Sequence, residues 1–135
     1  MIVLVDTNVV FDVIGRRQPH YAASNQILCS CRRKALVGAV AFHTIANIFY
    51  HYGKAAVPFL KERLLEDFSV HGASSTVIQE VMRWDLTDFE DALQAAAART
   101  AGASFIVTRN VKDFKFSRVP AISPKEFLRR FHPAQ

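Results

Sequence analysis

Five short uncharged runs alternate with stretches of helical periodicity along this chain, and that alternation constrains the fold more than any other feature. The runs are residues 2 to 5, Leu36 to Ala41, Phe68 to Val70, Ser104 to Val107 and Val119 to Ile122. A strand with one wet face alternates apolar and polar residues; these runs are apolar on both sides, as strands of a parallel sheet covered on both faces are. Between them, helices are expected over Thr7 to Ile14, His20 to about Lys34, Phe42 to Tyr52 and about Lys54 to Asp67. Ser74-Ser75-Thr76 caps a further helix with Val77, Ile78, Val81 and Met82 as its buried stripe. Thr87-x-x-Glu90 is a capping box for the next, whose Phe89, Ala92, Leu93, Ala96 and Ala97 face inward and which Gly102 ends. Ser123-Pro124-Lys125-Glu126 opens a terminal helix. The expected architecture is a three-layer α/β/α sandwich around four or five parallel strands.

The chain has 135 residues, half of them hydrophobic, which makes residues 1–135 one domain with one sizeable core. No linker, repeat or low-complexity segment interrupts it. A formal charge of +5 points to an anionic partner, nucleic acid first among them. Cys29 and Cys31 stand two apart in a helix, on different faces, so no disulfide is expected and a reducing cytoplasm fits. No run approaches the ~20 apolar residues of a membrane span.

Three acidic points fall at the junctions where such a sheet builds its sites, beyond the carboxyl ends of the strands. Val3-Leu4-Val5 stops on Asp6. As a lone residue Asp6 has an equal claim to be the N-cap of the following helix. Asp88 and Asp91 lie three apart and share one face in the first turn of their helix. With Glu90 they exceed what capping requires, and like charges so close repel unless a divalent cation compensates them. Thr108-Arg109-Asn110 follows the fourth strand, with Asp113 one turn on. An oxygen-rich set of this kind favours Mg²⁺ or Mn²⁺ over zinc. It would serve phosphoryl chemistry, with Arg109 and Lys112 placed to contact phosphates. Phe42, Phe49, Tyr50 and Tyr52 have the helical spacing of core or subunit packing rather than of base stacking.

With these residues in view, the chain resembles the PIN domain family, its VapC-like toxin group in particular. The resemblance runs over nearly the whole length and rests on Val-Asp-Thr-Asn-Val-Val from Val5, Asp-Phe-Glu-Asp-Ala-Leu-Gln from Asp88, Ile106-Val107-Thr108-Arg109-Asn110 leading to Asp113-Phe114, and Ile-Ser-Pro-Lys-Glu-Phe-Leu near the end. It implies a ribonuclease dependent on Mg²⁺ or Mn²⁺, the toxin of a toxin–antitoxin pair, with RNA as substrate, a cognate antitoxin as partner and a homodimer as assembly. It places the first family acid on Asp6, the acid that opens the alanine-rich helix on Asp91 and the position after the fourth strand on Asn110, with Asp113 nearby. Where the family carries a Glu in the helix after the second strand, this chain has Asn47, which offers a carbonyl oxygen and no charge. Either metal affinity falls, or another acid, such as Asp88 or Asp12, must contribute. The expectation is a metal-dependent endoribonuclease with Asp6 and Asp91 as ligands, Asp113 and Asp88 in support and Asn110 orienting water or metal. The rival is a PIN domain with weak or no catalysis that binds RNA or a protein. A phosphatase with Asp6 as nucleophile ranks last, because Asn8 stands where a second Asp would be needed.

Overall fold

The computed structural model describes residues 1–84 and 88–132. Its strands β1 (Ile2–Val5), β2 (Val37–Ala41), β3 (Phe68–His71), β4 (Phe105–Val107) and β5 (Ala121–Ile122) form one all-parallel sheet in the order β3-β2-β1-β4-β5. The helices are α1 (Thr7–Ile14), α2 (Tyr21–Arg32), α3 (Phe42–Tyr52), α4 (Val57–Phe59), α5 (Ser75–Met82), α6 (Phe89–Ala101) and α7 (Pro124–Phe131). None of them is long and apolar enough to cross a membrane.

The two apolar faces of the strands meet separate cores. Val3, Val5 and Val40 pack with Val9, Ile27, Leu28, Ile48 and Phe127 on one side of the sheet. Leu4, Ala39, Ala41 and Ile106 pack with Ala95, Ala97 and Ala98 of α6 on the other. Alanines let α6 lie close on the sheet, since each side chain fills little more than its own Cβ. Gly38 serves the same end between β2 and β3: an added Cβ would stand 2.5 Å from the ring of Phe68, its register partner.

Several elements depart from expectation, each for a local reason. The helix expected from Lys54 to Asp67 is a 3-10 turn (Gly53–Ala56), the α4 turn and a π turn (Leu60–Leu64) in succession. Gly53 at φ +59° ends α3, and Pro58 sits at the start of α4, where its missing N–H costs nothing. β5 spans two residues, where four were expected. Met82 is 68 % exposed, outside the buried stripe, as the last residue of α5, one turn beyond the half-buried Ile78. Phe89, 47 % exposed, opens α6 ahead of the stretch that lies on the sheet, where burial begins at Ala92. Thr87 lies outside the described residues, and the cap of α6 is Asp88, whose side chain accepts from the Asp91 N–H at 3.1 Å. In α3, Phe42, Phe49 and Tyr50 are exposed, and only Tyr52 packs inward, edge-on to Phe11.

Candidate active site

Asp6 continues β1 by one extended residue, and its N–H bonds the carbonyl of Val107 on β4 at 3.0 Å. The alternation that sends Leu4 toward α6 sends Asp6 the same way. Its carboxylate is 6 % exposed and fully bonded: Oδ1 accepts from the Thr7 N–H at 2.7 Å, and Oδ2 from Thr108 Oγ1 at 2.7 Å and Asn8 Nδ2 at 3.3 Å. Asp6 is therefore the helix cap and a site residue at once. Burial raises its pKa, the bonds from Thr108 and Thr7 oppose that, and Glu90 and Asp88 add to the rise.

Asp91 is the counterpart on α6. Its pKa is pushed up to about 7, first by loss of solvent and then by Asp88, Asp6, Asp113 and Glu90 in that order. The fold thus brings into one electrostatic neighbourhood acids that lie far apart in sequence. Asp88 and Asp113 are exposed, the latter on a 3-10 turn (Val111–Phe114) after β4. Asn110, at the head of that turn, donates its N–H to Thr108 Oγ1 at 3.0 Å and accepts from the Asp113 N–H at 3.0 Å. Lys112 is exposed beside it. Asn47 sits half-buried in mid-α3.

Two expectations about charge change with the fold. Arg109, read as a phosphate contact, turns its guanidinium to Asp12, with Nε and Nη2 donating at 2.7 and 3.1 Å. Asp12 is completely buried and also accepts from Ser24 Oγ at 3.1 Å, so it is spent on this clamp and cannot replace the acid missing at Asn47. The backbone N–H of Arg109 bonds Asn8 Oδ1 at 3.2 Å, which links the clamp to the bonds around Asp6.

Sequence reasoning gave no role to the neutral groups that support the acids. Gln94, one turn after Asp91, is buried and donates from Nε2 to Thr7 Oγ1 at 3.0 Å and Thr44 Oγ1 at 3.1 Å, and the two hydroxyls lie 2.8 Å apart. The signal was present: Gln94 is the one polar residue on an otherwise alanine face. Thr108 carried a weaker one, as a hydroxyl directly after a buried strand.

Among the described residues, no three Asp, Glu, His or Cys side chains approach closely enough to enclose a metal ion by themselves. The donor chemistry still fits a hard cation. Asp6 and Asp91 present carboxylate oxygens, and a cation would relieve both the loss of solvent and the like-charge repulsion that raise Asp91.

A family model for the PIN domain matches residues 2–112. The chain belongs to the PIN domain family. Solved structures with this fold include a toxin–antitoxin complex from Klebsiella pneumoniae, 21 % identical, covering 90 % of this chain and 97 % of that one at a TM-score of 0.66. VapBC2 from Rickettsia felis, bound to a DNA fragment from its promoter, is 20 % identical over 91 % of this chain and 98 % of that one, at 0.60. VapC20 of Mycobacterium tuberculosis, a toxin that cleaves the sarcin–ricin loop, is 18 % identical over 77 % and 86 %, at 0.59. No curated protein sequence matches the chain. At these identities the likeness to the solved structures is one of fold.

Proposed function

We propose that this PIN domain is an endoribonuclease dependent on Mg²⁺ or Mn²⁺ and the toxin of a toxin–antitoxin pair. The observation that carries the reading is a buried Asp6 held rigid by Thr7, Asn8 and Thr108, with Asp91 on α6 pushed up by loss of solvent and then by the neighbouring carboxylates. A divalent cation held by Asp6 and Asp91 would supply the Lewis acidity that phosphodiester hydrolysis needs. Asp6 meets it in a fixed orientation, because three donors set its carboxylate before anything binds. Asp113 and Asp88 add negative potential from the rim, and Asn110 offers a neutral amide for orienting water. Lys112 is the cation placed to meet the RNA backbone. The toxin–antitoxin complexes that share the fold support an antitoxin as the partner.

RNA cleavage measured across Mg²⁺ and Mn²⁺ concentrations tests the reading. Asp6→Asn and Asp91→Asn should each abolish divalent-dependent cleavage while the far-ultraviolet circular dichroism stays that of the native chain. Undiminished cleavage by Asp6→Asn would sink the assignment. A second reading, an RNA- or protein-binding domain without catalysis, is favoured by Asn47 and by the absence of a closed ligand triad among the described residues. Calorimetric titration separates the two, since no Mn²⁺ binding and no cleavage at millimolar metal would establish the second.

A further inference from the structure

We propose that a cavity remote from the acids binds a nucleotide, its base against Trp84 and Phe116 and its phosphate on Arg118. The cavity, of about 370 Å³, lies between the end of α5, the last turns of α6 and the segment leading into β5. That volume is in the lower range of small-molecule sites, about 300 to 1,000 Å³. Arg99 in its wall stands eight residues beyond Asp91 on α6, about 12 Å along the helix axis.

The walls combine two features that nucleotides require. One is a fixed aromatic surface. Trp84 and Phe116 adjoin as a tilted pair with ring centroids 6.1 Å apart at 49°, and Phe116 is backed by Phe114 at 6.1 Å. Arg99 lies over one face of the Trp84 ring at 5.6 Å, which leaves the opposite face for stacking, while its guanidinium donates twice to Glu80, at 2.8 and 3.0 Å. The other feature is surplus positive charge. Glu80 neutralises Arg99, whereas Arg118 holds no hydrogen bond or ion pair among the described residues. Arg83 and Arg118 join Arg99 in lowering the pKa of Glu80. Stacking surface beside the exposed Arg118 guanidinium is the recognition chemistry of a base with its phosphate. The nucleotide could be free or the end of an RNA strand, since both present the same groups.

Trp84 is the only tryptophan of the chain, so its fluorescence reports on this cavity directly. The intact protein is titrated with AMP, adenosine, inorganic phosphate and a short 5′-phosphorylated oligoadenylate. A saturable change with AMP identifies a free nucleotide, and one with the oligoadenylate alone identifies an RNA end; either supports the site. Adenosine, and AMP with Arg118→Ala, should bind about tenfold more weakly through loss of the charge-assisted contact. Phe116→Ala should weaken AMP binding independently, and circular dichroism checks that both variants fold. No saturable change with AMP or oligoadenylate overturns the proposal, as does a response to phosphate equal to that to AMP, or native affinity in both variants. Asp6→Asn should bind AMP unchanged, so the site stands or falls apart from the nuclease reading.

Discussion

Asp91 and Asp12 are two acids with opposite fates, and their surroundings explain both. Asp91 has lost solvent and has like charges for neighbours, and its pKa is pushed up to about 7. The native chain therefore binds that proton more tightly than the unfolded chain, whose Asp titrates near 4. The resulting stability is present in full below about pH 4 and is lost as pH rises through about 7. In a chelating buffer at pH 7.5, Asp91→Asn should melt several degrees above the native protein, with the gap closing toward pH 4. A gap that ignores pH would show that charge is not its cause. Asp12 instead meets Arg109 and Ser24 without exposure to water. Arg109→Ala leaves that charge buried and uncompensated, a loss of about 3–5 kcal/mol in urea unfolding. Adding Asp12→Ala should return a good part of it. Neither fate was legible in the sequence, because both acids occupy ordinary helical positions and only the fold decides what faces them.

At the scale of elements, α6 shows what pattern alone conveys. Its alanines, its acidic first turn and Gly102 at φ +70° identify the helix, its packing face and its end without any tertiary information. The pattern fails where a periodic residue sits at an element's margin, as Met82 and Phe89 do, because periodicity carries no knowledge of where a neighbour stops. Gly38 is a further case: an unremarkable glycine in a strand, it is required because Phe68 of β3 occupies the space of its Cβ. Gly38→Ala should cost about 1–3 kcal/mol by overpacking, measured by chemical denaturation. Shortening the partner with Phe68→Leu should offset part of that cost.

Across the whole molecule, one sheet shares its strands between two cores, so neither core exists without β1 and β2. Thermal unfolding followed by tryptophan fluorescence and by far-ultraviolet circular dichroism should give coincident transitions. Separate midpoints would mean that the two faces of the sheet come apart independently. The sequence by itself determined the layers, since strands apolar on both sides must be covered on both sides, and it placed Asp6, Asp91 and the Asn110–Asp113 segment at strand and helix ends. The tertiary structure alone decided which of these groups act together. Setting β1 beside β4 joins Asp6 to Thr108 across 102 positions, the α6 packing brings Asp91 under the charge of four other acids, and Arg109 is drawn to Asp12. Charge and hydrogen bonding depend on distances through space, and chain order leaves those distances open until the sheet is assembled.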